Sequence, residues 1–110
     1  MHDADEFLDV VGIGAPAFVL DLTGGADGVT VTLTGDLDLW GGAQLEQALD
    51  ELDPAHEAVT VDLAGVTFLD SLGVRALVLA RRSSRVARFV NPSEVVARVI
   101  EATGLTELLL

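Results

Sequence analysis

A serine and an aspartate stand together at the point where a predicted strand passes into a predicted helix. Asp70 and Ser71 follow the apolar alternation of residues 58–69 and precede the helical pattern of residues 72–82. A hydroxyl on such a turn is exposed and accessible to a kinase, and the free N–H groups of a helix start can stabilise a phosphate. Serine and aspartate are also frequent helix N-caps. The pair therefore predicts a phosphorylation site, a helix cap, or both.

Other kinds of catalytic site lack the residues they would need. The sequence has no Gly-x-Ser-x-Gly elbow, and neither His2 nor His56 has an obvious pairing with Ser71. The absence of cysteine excludes a thiol nucleophile and a thiolate metal site, and two isolated histidines make a poor metal set. Gly35-Asp36-Leu37-Asp38 is acidic and would repel phosphate, so no P-loop is predicted. We therefore expect no enzyme activity, no metal and no cofactor.

Acidic and basic residues are distributed unevenly along the chain, whose formal net charge is -12. Residues 1–70 contain 15 acids and no lysine or arginine, whereas residues 71–110 contain six arginines and three acids. An acidic surface repels nucleic acids and anionic membranes, so it favours a basic or neutral protein partner or serves only solubility. The arginines lack an interleaved set of aromatic residues that could stack on bases. We therefore expect a protein partner and no nucleic acid ligand.

Length and composition indicate one globular domain. A chain of 110 residues, half of them apolar, suffices for a single compact core. No apolar stretch approaches the roughly 18–20 residues of a spanning helix, and the acidic start is unlike a signal peptide. We predict a cytoplasmic protein that does not insert into a membrane. A flexible acidic segment at residues 1–15 should precede the domain at residues 16–110.

The apolar periodicity predicts an α/β domain. Strands are expected at about residues 17–22, 29–34, 58–69 and 85–90, with a hairpin loop at residues 23–28. Apolar residues spaced i, i+3, i+4 and i+7 between Leu45 and Leu52 predict a helix that ends near Asp53, and further helices are expected at residues 72–82 and 92–103. Alternation of strands and helices favours a partly parallel sheet. We expect a mixed sheet of about four to five strands packed with three to four helices.

The last predicted helix has sequence signals at both ends. Asn91 can cap its first turn, Pro92 fits the first helical position, and Glu94 can reach back to the cap. Gly104 is expected to end the helix in a left-handed conformation. The apolar residues 105–110 must then pack against the domain or be exposed.

Four segments, in order along the chain, carry a resemblance to a known family. They are Thr-Gly-Asp-Leu-Asp at residues 34–38, the stretch around Asp70-Ser71 at residues 61–74, Asn-Pro-Ser at residues 91–93 and Thr-Gly-Leu at residues 103–105. Together they resemble STAS domains, and among these the bacterial anti-sigma-factor antagonists. The likeness covers about residues 17–108.

The resemblance implies a phosphorylation-controlled binding switch in the regulation of transcription. In such proteins the serine after the aspartate, here Ser71, accepts phosphate from a kinase that is itself the anti-sigma factor. The unphosphorylated antagonist holds the kinase and frees a sigma factor, the phosphorylated form releases it, and a serine phosphatase resets the switch. The implied partner-binding residues are Asp36, Asp38, Asp70, Ser71, Leu72, Gly73 and Arg75.

The sequence also departs from the family pattern. Leu72 stands where many relatives carry a second hydroxyl residue, and Gly41-Gly42 replaces the more usual polar cap before the first helix. The beginning of that helix is therefore expected to be loose. Trp40 is expected to pack partly against the helix start, or alternatively to anchor a partner.

A second function is compatible with the same fold. A STAS subunit could serve as a regulatory or structural component of a membrane transporter, with the same helix surface docked permanently. The neighbouring genes would distinguish the two functions. Genes for a kinase-like ATPase and a sigma factor would favour the switch, and genes for transporter subunits would favour the alternative.

Overall fold

A computed structural model describes residues 17–25, 28–52, 58–83, 86 and 88–110. The predicted acidic segment at residues 1–15, together with His2 and His56, lies outside these residues. The described elements are β1 (Phe18–Gly25), β2 (Gly28–Leu37), α1 (Leu39–Glu51), β3 (Val59–Leu69), α2 (Ser71–Arg82), β4 (Arg88–Val90), α3 (Glu94–Ala102) and α4 (Thr106–Leu109). The predicted α/β class, with a four-stranded mixed sheet and four helices, is confirmed.

The sheet follows the order of the chain. Its strand order is β1-β2-β3-β4, with β1 antiparallel to β2 and the other two pairs parallel. The first two strands are longer than predicted because the hairpin stays paired from Phe18 opposite Gly35 to Gly25 opposite Gly28. In β4, residues 88–90 pair with β3, and residues 85 and 87 of the predicted strand lie outside the described residues.

Alternating strand residues build the core. Val29, Val31 and Leu33 of β2 are buried, and so are the alternating residues at the start of β3, Val59, Val61 and Leu63. The residues between them, such as Thr32 and Thr60, are only half-buried. One face of the sheet therefore carries the core, as period-two strands with a single apolar face require.

The start of α3 differs from the prediction. Ser93 is the N-cap and its hydroxyl accepts from the Val96 N–H at 3.2 Å, so Pro92 lies outside the helix. Asn91 instead has a positive φ of 53° and donates from Nδ2 to the Asp62 carboxylate at 3.1 Å. Asparagine adopts this left-handed conformation more readily than most residues. The Asn91 side chain therefore joins the loop after β4 to β3 and does not cap the helix.

The end of the chain packs against the domain. Gly104 has a φ of 73°, which confirms the predicted left-handed helix end. Residues 106–109 form α4, which lies against α2 and α3 and buries Leu109, while Leu110 remains exposed. Among the described helices, none has the length and apolar character needed to cross a membrane.

Candidate partner-binding site

Two strand-to-helix turns lie side by side at the carboxyl ends of the central strands, β2 and β3. Leu37 and Leu69, the last residues of β2 and β3, are partners in the parallel register, and both are buried. Each is followed by an aspartate, Asp38 or Asp70, and then by a helix. Adjacent strands are only about 4.8 Å apart, so the two turns form one continuous surface. This surface contains most of the residues that the sequence singled out.

Asp70 is the N-cap of α2. Its Oδ1 accepts from the N–H groups of Leu72 at 3.0 Å and Gly73 at 2.9 Å. Ser71 is consequently the first helical residue, and it is exposed. Its hydroxyl makes no hydrogen bond with any residue that the structure describes. The cap and the free hydroxyl thus belong to different residues, and the amides expected to stabilise a phosphate are already bound to Asp70.

Asp38 caps α1 in the same way. Its Oδ1 accepts from the N–H groups of Trp40 and Gly41, each at 3.0 Å. The expectation of a loose helix start without a polar cap is therefore wrong: the cap is the aspartate itself, three residues before Gly41. Asp38 is half-buried and its carboxylate serves the backbone, so it holds the shape of the turn.

Glycines at equivalent positions let both helix starts approach the end of β2. A Cβ on Gly73 would lie 1.9 Å from the carbonyl oxygen of Leu37, and a Cβ on Gly41 would lie 2.6 Å from that of Asp36. Both glycines are buried. Gly73 therefore fixes the distance between α2 and β2, and any contribution to partner binding would be indirect.

The other predicted site residues lie near the end of β2 and along the first turns of α2. Asp36 is half-buried and pairs in register with the exposed Phe68 of β3. Leu72 is 42% exposed and Arg75 is exposed one turn further along α2. No described carboxylate forms a salt bridge with Arg75. The structure thus brings a hydroxyl, an acidic turn, an apolar side chain and an unpaired guanidinium to one surface.

Sequence reasoning gave the apolar part of this surface incompletely: it named Leu72, offered an exposed Trp40 only as an alternative, and did not single out Leu39. Trp40 is 75% exposed, so the expectation that it packs against the helix start is wrong, and neighbouring Leu39 is 56% exposed. The signal was present as an internal similarity: Leu-Asp-x-x-Gly occurs at residues 37–41 and again at residues 69–73. That repetition places Leu39 at the position of Ser71, the exposed first residue of a capped helix.

The site has no features of a metal centre. Across the described ranges, no group of three or more His, Cys, Asp or Glu side chains is arranged to hold a metal ion. Asp38 and Asp70 each direct a carboxylate oxygen to backbone amides. These carboxylate oxygens are therefore engaged in holding the two turns.

Comparison with known proteins gives the same fold. A family model described as "Mlab, STAS domain" matches residues 20–110. No curated protein matches the sequence significantly. An anti-sigma factor antagonist from Mycobacterium paratuberculosis is similar in structure, with a TM-score of 0.69, 24% identity and coverage of 86% of each chain. The anti-sigma factor antagonist SpoIIAA in its unphosphorylated form has a TM-score of 0.60 and 23% identity, covering 84% of this chain and 86% of that one.

Proposed function

Because the chain belongs to the STAS-domain family, we propose that it is an anti-sigma-factor antagonist controlled by phosphorylation of Ser71. In this role it is a binding protein and not an enzyme. Unphosphorylated, it sequesters an anti-sigma-factor kinase in the cytoplasm; phosphorylated, it releases the kinase until a serine phosphatase resets it. The observation that carries the proposal is the free, exposed hydroxyl of Ser71 at a turn whose cap is Asp70.

The choice of Ser71 is supported by comparison with the other described serines. The Ser83 hydroxyl donates to the carbonyl oxygen of Ala80 at 2.7 Å. The Ser93 hydroxyl caps α3 through the Val96 N–H. Phosphorylating Ser83 would remove the proton that it donates, a net loss of about 0.5–1.5 kcal/mol, and phosphorylating Ser93 would place the charged group on an oxygen already engaged in the cap of α3. Modification of Ser71 costs no hydrogen bond among the described residues.

Release of the partner follows from the charge that phosphate adds. A phosphoserine carries about -1.5 to -2 charges at neutral pH. Two like charges about 6–8 Å apart repel by about 2–3 kcal/mol at an effective dielectric of about 20, before screening by salt. The N–H groups of Leu72 and Gly73 cannot offset this while they are bound to Asp70. Because Asp36, Asp38 and Asp70 are present in the free protein as well, release requires that the partner desolvates the phosphate or brings further acids close to it.

The proposed contact surface contains the acidic, apolar and basic side chains around Ser71. Asp36, Asp38 and Asp70 supply the acidic part, and Leu72 and Arg75 extend the surface along α2. Trp40 is the largest exposed apolar side chain on the neighbouring turn and is proposed as an anchor, since aromatic anchors often dominate binding energy. It is also the single tryptophan of the chain, so its fluorescence reports burial directly.

The proposal is tested with the partner captured from the native cell by the immobilised wild-type protein. A captured ATPase that transfers one phosphate from ATP should add it at Ser71, as measured by intact mass and peptide mapping. Ser71→Ala should abolish the modification, whereas the control Ser83→Ala should retain it. Phosphate that persists in Ser71→Ala would disprove the assignment.

Binding measurements test the switch itself. Ser71→Glu should weaken kinase binding by at least tenfold, about 1.4 kcal/mol, in titration calorimetry, with an unchanged circular dichroism spectrum. Asp36→Asn with Asp38→Asn should reduce that penalty, more at low salt, and asparagine retains the capping ability of Asp38. Equal affinities of wild type and Ser71→Glu would end the switch model. Capture of membrane-transporter subunits, with binding insensitive to Ser71→Glu, would favour a transporter role.

A further inference from the structure

A groove runs between α1 and α2, beginning beside the proposed phosphorylation site. Two adjoining cavities of about 260 and 240 Å³ share Glu46, Ala76 and Leu79 among their lining residues. The first reaches Leu72 and Arg75 at the start of α2, and the second continues towards the end of both helices. The two cavities form one elongated depression along the helix pair.

Close helix packing produces the groove. At Gly42, a Cβ would lie 2.8 Å from the Cβ of Ala76, so the helices approach each other with only small residues between them. Larger side chains then stand on both sides. Buried Leu45, Leu49 and Ala80 line the continuation of the groove. The result is a channel that the described chain leaves open, with a mixed lining beside Ser71 and a mainly apolar one towards the ends of the helices.

The groove collects exposed apolar side chains. Nine large apolar residues are exposed within the described ranges, and three of them, Leu39, Leu72 and Leu79, line this channel. Leu72 and Leu79 are separated by seven residues, two helical turns, and therefore stand on one side of α2. Exposed apolar residues gathered around a concave surface indicate a binding site, whereas scattered ones need no explanation.

The rims of the groove carry opposite charges. Glu46 and Asp50 lie four residues apart on α1 and are exposed, and Arg75 stands on α2. None of the three forms a salt bridge with another described residue. A helix that fills the groove would therefore place basic side chains against α1 and an acidic one against Arg75.

We infer that the groove binds a basic amphipathic helix of the partner that recognises Ser71, so that the interface extends along α2 to Leu79. The inference rests on the proposed function for the identity of this partner. Charge argues against two other occupants of the groove, which are residues 1–16 of this chain and a second copy of the protein. Residues 1–16 contain four acids and no lysine or arginine. A second copy carries the same formal net charge of -12, so the two chains would repel each other.

Peptides of defined charge test the groove without the partner. Two synthetic helices of about 18 residues, five turns, would share a leucine face and carry either lysines or glutamates on the polar face. In NMR titrations the lysine peptide should shift the amide resonances of residues along the groove, and the glutamate peptide should not. Equal binding of both peptides, or shifts elsewhere on the protein, would overturn the inference.

Matched variants separate groove binding from general attraction. Leu79 and Leu22 are 48% and 49% exposed, but Leu22 lies on β1, away from the groove. Leu79→Gln should weaken the lysine peptide at least tenfold, and Leu22→Gln less than twofold. Glu46→Gln with Asp50→Gln should weaken it several-fold more than Glu101→Gln with Glu107→Gln, which removes the same charge from exposed sites outside the groove. Equal effects within either pair would contradict the assignment.

The two leucine variants should affect binding of the captured kinase as they affect the lysine peptide: Leu79→Gln should weaken it, and Leu22→Gln should not. If Ser71→Glu weakens kinase binding but Leu79→Gln does not, the groove assignment fails and the proposed function stands. If the peptide occupies the groove but no kinase is captured, the proposed function fails instead. A dimer in sedimentation that disappears in Leu79→Gln, or nuclear Overhauser contacts between Leu79 and residues 1–16, would identify one of the other occupants.

Discussion

In the β2–α1 turn, buried Leu37 is followed by the capping Asp38, and in the β3–α2 turn, buried Leu69 is followed by the capping Asp70. A buried glycine, Gly41 or Gly73, stands three residues after each cap. The two turns differ at the first helical residue, which is Leu39 in one and Ser71 in the other.

This comparison separates the scaffold from the chemistry. Leucine, aspartate and glycine hold the backbone of both turns, so the first helical residue is exposed in each. Only the β3–α2 turn uses that position for a hydroxyl, and only α2 carries an arginine four residues later; α1 has Ala43 there. Both turns belong to the segments that carry the family resemblance, whereas a switch can be argued only for one of them.

The largest expected difference between the turns concerns their glycines. Gly73→Ala should lower the free energy of unfolding by roughly 1–3 kcal/mol or more, because its methyl group overlaps the backbone oxygen of Leu37. Gly41→Ala should lower the free energy of unfolding by less. Its new Cβ would lie 2.6 Å from the carbonyl oxygen of Asp36, and the next nearest atoms belong to the Phe18 ring, which can move. Urea denaturation measures both values. A Gly41→Ala variant less stable than Gly73→Ala would reverse this ranking.

The capping aspartates should be closely matched. Asp38→Ala and Asp70→Ala should each lower the free energy of unfolding by about 1 kcal/mol, because each removes the acceptor of two backbone N–H groups. Asparagine at either position should retain most of that stability. Thermal denaturation of the four variants tests the equivalence. A loss in only one of the alanine variants would show that the turns are held by different interactions.

The smallest effect on stability is expected from copying the serine into the other turn. Leu39→Ser should change the free energy of unfolding by less than about 0.5 kcal/mol, since Leu39 is mostly exposed. We expect the captured kinase to leave the introduced hydroxyl unmodified because the following helix lacks an arginine at the position of Arg75. Intact mass after incubation with ATP and the kinase measures this. A second phosphate on the variant would show that the capped turn alone suffices for recognition.

The sequence predicted the parts of the fold that depend on local patterns. The alternation in β2 and β3 and the apolar spacing in α1 located those elements, and Asp70-Ser71 was correctly placed at the start of α2. The cap of α3 was misassigned because Asn91 contacts Asp62, which lies 29 residues away in the sequence. Packing of Trp40 was preferred to its exposure for a related reason: the prediction relied on Gly41-Gly42, whereas Asp38, which caps the helix, lies before them.

The sheet order, which follows the chain, bears on how the protein forms. Each parallel pairing joins strands separated by a single helix, as in Val29 with Val59 and Thr60 with Arg88, so each closes a loop of about 30 residues. Among the described strands, none has to insert between two strands that are already paired. The sheet can therefore grow in the order in which the ribosome delivers its strands, which limits the time that unpaired edges are available for aggregation.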